Sequence, residues 1–313
     1  MGGSIRACGM SEAAAESTST MSDFRRTPSL WSKAAVRLRH NRVAMAAAAV
    51  IFVLACVAIM GPLVSPYAVD SLDWDRLAAA PLGPGSHWLG TDRLGRDLFV
   101  RTCHGLRISL VISLVSTAIS LAIGVTWGAV AGLVGGRTDE LMMRFVDILY
   151  SLPYLFIVII LTTLFERGSL PVLFCAIGAV GWLTTARIIR GQTLSLARRE
   201  FIEAARATGL STPAILLRHI IPNLVGPIVA YAALTIPQMI LFESFLSFLG
   251  LGVQEPLASL GSLINDGAQE MQSAPWMLLV PAGFLVVLLM SFNLIGDALS
   301  DALDPRDDGG FRG

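Results

Sequence analysis

Long apolar runs separated by short polar ones organise this chain. Six stretches without a charged residue, 43–69, 108–136, 148–165, 168–186, 219–242 and 271–296, are each at least 18 residues long. A helix needs roughly 20 residues to cross a hydrocarbon core about 30 Å thick. The pattern predicts an all-α polytopic membrane protein with six transmembrane helices, at 44–64, about 108–132, 145–165, 169–189, 224–246 and 276–297. Asp147 falls just inside the third span. Residues 1–43 read as a tail, whose first 24, rich in Ser, Ala, Thr and Glu, are expected to be disordered. Met10 and Met21 are alternative starts. An outer loop at 65–105 and a second tail at 300–313 complete the division.

Composition agrees with that pattern. The chain is 54% hydrophobic and 15% charged, with mean hydropathy +0.67, whereas soluble proteins carry about 25% charged residues. With six spans, both termini share a side. That side holds 17 of the 23 basic residues and the other side holds 6, which places both termini in the cytoplasm. Arg93, Arg96, Arg101 and Arg107 run against the trend in the first outer loop. The apolar core of the first span is longer than the 7–15 residues of a signal peptide, so an uncleaved anchor is expected. The basic stretch from Arg25 to Arg42 suits lipid headgroups, and no nucleic-acid role is read from it.

Several chemistries lack their residues. A P-loop needs a lysine after its glycine, and the only lysine, Lys33, follows Ser32. None of His40, His87, His104 and His219 lies in the middle of a span, so a Ser-His dyad has no base there. Cys8, Cys56, Cys103 and Cys175 have no metal-ligand spacing. No catalytic residue, cofactor or metal site is expected in this chain, and any ATP chemistry belongs to another polypeptide.

The polar insert at 197–223 is the exception among the apolar runs. From residue 203 it reads EAARATGLSTPAILLRHIIPN. Residues 197–208 suit a short helix, ended by Gly209 in a left-handed conformation. Ser211 and Pro213 suit the start of a second helix, which Pro222 should end. Ala204 and Ala205 leave room for a partner backbone, and Glu203 offers an acceptor. The insert is either a docking element or an amphipathic pair that orients the neighbouring spans.

At this point the chain resembles the C-type permease subunits of bacterial oligopeptide and dipeptide ABC importers. The resemblance rests on the Glu203 loop, on HWLGTDRLGRD at 87–97, on ESFLSFLGLG at 243–252 and on DALDP at 301–305. It implies a type I ABC importer transmembrane domain over 106–299, with the first helix peripheral and a cytoplasmic EAA coupling loop. Glu203, Ala204, Ala205, Gly209, His219, Pro222 and Asn223 correspond to that loop. The implied partners are a sister permease, two ABC ATPase subunits that bind ATP and Mg, and an extracytoplasmic binding protein that delivers peptide. Oligopeptides are the implied cargo, with dipeptides or nickel as alternatives. A rival class, the ion-coupled secondary transporter, needs ionisable groups near the midplane of its spans, and the span middles here are uncharged. A membrane assembly factor would need no coupling loop.

Three further features stay open on sequence alone. Gly124, Gly128, Gly132 and Gly136 recur every four residues, which suits close helix packing or pore lining. Pro227 and Pro237 should bend the fifth span, either to line a translocation path or for packing alone, and Glu243 is expected near its outer end, either snorkelling or facing that path. Asp92, Arg93, Arg96 and Asp97 precede the second span. Thr91 or Asp92 is expected to cap a surface helix through Phe99 and Leu106, with contact to the binding protein as the alternative. Glu255, Asp266 and Glu270 make the last outer loop acidic, to be solvated or to meet that protein.

Overall fold

A computed structural model describes residues 30–82, 87–165 and 169–303. The tails at 1–24 and 304–313 lie outside the described residues. The fold is all-helical. A short helix α1 (Leu30–His40) precedes α2 (Arg42–Val64), which Asn41 caps by accepting from the Val43 and Ala44 amides. Its outward side chains, Phe52, Ile59, Met60 and Leu63 among them, are exposed, while Gly61 rests on Cys103. One face of the first span is uncovered.

The second span departs from expectation. Instead of a surface helix followed by a span, α3 runs unbroken for 37 residues, from Leu98 to Val134. Its cap is Asp97, whose Oδ1 accepts the Val100 amide at 2.8 Å, rather than Thr91 or Asp92. No proline interrupts residues 98–134. The buried Arg101 has acidic groups within 4.0 Å, so its charge does not end the helix.

The third span is broken. Helices α4 (Gly136–Ser151) and α5 (Tyr154–Leu164) meet at 81°. Pro153 forces Leu152 out of the helical region, to ψ 140°. The fourth span, α6 (Leu170–Ala197), lies beside α3 and parallel to it. Along this seam Gly178 meets Ile119, Gly124 meets Thr185, Gly128 meets Ala186 and Arg190, and Gly132 meets Thr193. Among the described residues five helices are long and apolar enough to span, and counting the bent pair as one makes six. This is a multi-pass membrane protein.

Two short helices follow α6: α7 (Glu200–Ala207) and α8 (Thr212–Ile215). The second does not stop at Pro222. A single π-turn at Leu216–Ile220 leads straight into α9 (Ile221–Phe248), with the Ile221 amide donating to the Leu216 carbonyl five residues back. Pro222 follows the π-turn directly, and the helix continues past it. Pro227 and Pro237 lie within α9, which continues through both.

The segment between the last two spans is not a solvated loop throughout. It contains α10 (Leu260–Gln269), opened by a capping box between Ser259 and Ser262. Gly261 packs on Ser244 of α9, and Gly267 packs on Met277 of the final helix α11 (Trp276–Leu303). Leu260 and Leu263 are buried, and Leu260 joins an apolar cluster with Leu106, Ile240 and Leu288.

Candidate functional site

The insert forms a helical knuckle whose two sides do different work. Ile202 and Ala205 of α7, Ile215 of α8 and Ile220 of the π-turn face inward. They join one apolar cluster with Ala129 and Leu133 of α3, Ile189 of α6 and Leu224 of α9. The knuckle is thereby fastened to the ends of three long helices. Arg206 adds a polar tie, donating to the Leu133 carbonyl at 3.5 Å, where the last carbonyls of α3 lack helical partners.

Gly209 ends α7 as the spacing suggested. Its φ is +81°, and the Leu210 and Gly209 amides donate to the Ala205 and Arg206 carbonyls, the paired bonds of a Schellman motif. The outward face shows Phe201, Glu203, Ala204, Thr208, Pro213 and Leu217. Sequence reasoning paired Ala204 with Ala205 as docking residues. The structure separates them, with Ala204 exposed and Ala205 buried. His219 is half-buried, its ring near that of Phe201, and Pro222 and Asn223 are exposed. Asn223 Nδ2 donates to the His219 carbonyl at 2.6 Å, holding the turn that leads into α9.

At the opposite end of the bundle the charged motif at 92–97 is mostly interior. Asp92 Oδ1 accepts the Leu94 and Arg96 amides, and its Oδ2 accepts Arg96 Nε at 2.6 Å. Arg96 also reaches Glu255 at 3.0 Å, tying this loop to the segment before α10. Asp97 meets His87 Nδ1 at 2.8 Å, and Tyr67 stacks on the His87 ring. Of the four residues proposed for binding-protein contact, only Arg93 is exposed. Burial lifts the Asp266 carboxyl above its ordinary range, opposed by Arg101 and Arg93.

Glu243 lies near the end of α9, but its side chain is enclosed instead of snorkelling or facing an open path. It is 1% exposed and sits among serines, accepting from Ser109 Oγ at 2.6 Å and Ser247 Oγ at 2.8 Å. Ser109 also accepts the Leu260 amide at 3.2 Å. One carboxyl therefore links α3 and α9 and, through Ser109, the start of α10. The glycine stripe splits in the same way. Gly124, Gly128 and Gly132 pack against α6, whereas Gly136, at φ +56°, has no such contact and is the first residue of α4.

Residues 124–307 match the family model for the binding-protein-dependent transport system inner membrane component, and residues 29–82 match the N-terminal TM domain of oligopeptide transport permease C. The chain belongs to the binding-protein-dependent transport system inner membrane component family. Among individual relatives, the oligopeptide transport system permease protein OppC of Escherichia coli K12 is 56% identical over 279 residues, 89% of this chain and 92% of that protein. OppC of Bacillus subtilis is 42% identical over 278 residues, covering 89% and 90%. The dipeptide permease DppC of the same organism is 43% identical over 272 residues, covering 86% and 84%. In fold, the chain is similar to one from the inward-facing MetNI methionine ABC transporter, with TM-score 0.53 and 17% identity over 65% of this chain and 96% of that one.

Proposed function

We propose that this chain is the pore-forming permease subunit of an ATP-driven oligopeptide importer in a bacterial inner membrane. It pairs with a sister permease, rests on two ATPase subunits that bind ATP and Mg, and receives peptide from an extracytoplasmic binding protein. The chain itself is not an enzyme. The excess of basic residues on the knuckle's side supports cytoplasmic termini and a cytoplasmic knuckle. One observation carries the reading: a small exposed knuckle centred on Glu203 and Ala204 is joined by buried isoleucines to α3, α6 and α9. Movement of an attached ATPase is then passed to three spans together, as rigid-body rocking.

The test is uptake of radiolabelled peptide into proteoliposomes with each subunit omitted in turn. Uptake is expected only when the ATPases, both permeases and the binding protein are present. Uptake that persists without an ATPase rejects the proposal. A dipeptide cargo is the second reading, supported by the near-equal identities to OppC and DppC of Bacillus subtilis. Competition by peptides of two to six residues separates the two.

A further inference from the structure

One face of the bundle carries polar groups where a membrane-spanning surface should be apolar. Arg187 of α6 donates from Nη2 to Asp147 Oδ1 at 2.7 Å, with side chains 39% and 62% exposed. Its guanidinium lies 4.2 Å above the Tyr150 ring. Tyr231 of α9 stands beside Tyr150 and beside Thr184 and Thr185 of α6. Two turns further along α9, on the same side, Gln238 is exposed. Tyr154, at the start of α5, is also exposed and meets Phe242 of α9.

The depth of this cluster makes lipid a poor neighbour. Arg187 is ten residues from the end of α6, which has 28. At about 1.5 Å per residue α6 is roughly 42 Å long and Arg187 lies roughly 15 Å from its end. If α6 is centred on a core about 30 Å thick, that position is roughly 9 Å inside the hydrocarbon. That is deeper than the span edge at 189 that the apolar run alone suggested, so this span is not uncharged toward its middle. A long arginine can reach outward from such a depth, but the short Asp147 side chain and Gln238 cannot. Charged groups at this depth belong in a water-filled cavity or against another protein.

We infer that this wall, made by Asp147, Tyr150, Thr184, Arg187, Tyr231 and Gln238, lines the aqueous path and touches the peptide as it passes. The inference rests on the importer reading above. Hydroxyls and an amide suit main-chain groups, which every peptide presents whatever its side chains. The aromatic floor under Arg187 holds a guanidinium that has one acidic partner among the described residues, so it can also meet a peptide carboxylate. The wall draws on α6 and α9, two of the helices fastened to the knuckle, so rocking of those helices would alter it.

Single cysteines at Tyr150 and Gln238 test this in the complete reconstituted transporter. The probe is a charged, membrane-impermeant methanethiosulfonate, and unsubstituted protein gives the background from native cysteines. Both sites are expected to react, and a pentapeptide with the binding protein should slow the reaction severalfold. Phe52→Cys, on the exposed side of α2, is expected to react only with a lipid-soluble maleimide. If Y150C and Q238C behave like F52C, the inference is overturned. It is equally overturned if they form disulfides with the sister permease instead of reacting with the probe. Arg187→Gln should raise the uptake KM about tenfold with little change in kcat, and Arg187→Lys should recover part of it; an unchanged KM in R187Q counts against the inference. ATP-dependent uptake by the unsubstituted transporter, together with unreactive cysteines, would sink this inference and leave the importer reading standing.

Discussion

Gly128 of α3 lies directly against the backbone carbonyl of Ala186 in α6, leaving no space for even one methyl group. Two parallel helices touch here, main chain to main chain. The adjoining cluster of Val146, Trp182, Leu183 and Ala186 secures α4 to the same seam. Helix association in lipid depends on such close packing.

Gly128→Leu should therefore abolish most of the assembled complex, and Gly128→Ala should already destabilise it by about 1–3 kcal/mol through overpacking. Gly283→Ala on α11 meets open space and is the matched control. Size-exclusion yield and thermal unfolding of the purified complex measure both. Equal yields for G128L and G283A would remove the packing role.

Gly209 should show the cost of its left-handed backbone. Gly209→Val is expected to destabilise the knuckle by about 1–2 kcal/mol. If the knuckle transmits force, ATP hydrolysis should continue in that variant while peptide uptake falls. Uptake and hydrolysis measured on one preparation distinguish uncoupling from simple loss of protein; a parallel fall in both would argue against transmission.

Asp97 both caps α3 and holds His87. Asp97→Ala should cost about 1 kcal/mol for the lost cap, and more for the buried imidazole left without its partner. Asp97→Asn keeps an acceptor and should lie close to the parent. The midpoint of thermal unfolding in detergent reports the order, parent, then D97N, then D97A.

Glu243 distinguishes a structural hub from a residue of the path. Glu243→Gln keeps one acceptor oxygen for Ser109 or Ser247 and presents an amide donor to the other hydroxyl, which can turn to accept it. Its stability should therefore stay closer to the parent than that of Glu243→Ala. Glu243→Ala leaves buried hydroxyls without their partner and should lose about 1–3 kcal/mol. Uptake scaled to folded protein should be normal in both; a specific loss in E243Q would instead assign Glu243 to transport.

Much of this architecture was legible in the order of the residues. The apolar runs located the spans because hydrocarbon admits few charges, and Gly209 and Ser211 marked the turn of the knuckle through local backbone requirements. The misread features share a cause. Pro222 looked like a stop because proline lacks an amide, yet a π-turn supplied by its neighbours lets the helix continue. The charges at 92–97 looked like a surface because charges usually are, yet their partners fold back on them from nearby, from Glu255 and from the start of α3. Leu152-Pro153 was visible as a dipeptide, but nothing local specified an 81° bend.

Sequence by itself determined that this is a helical multi-pass membrane protein with one polar knuckle, because burial in lipid and helix termination are settled within a few turns of chain. Only tertiary structure decided which side of each helix is covered. It turned Ala205 inward and Ala204 outward, enclosed Glu243 among serines, and left Arg187 and Asp147 open on one face. Those outcomes depend on groups brought together from as far as 134 residues apart, and no local pattern encodes such distances.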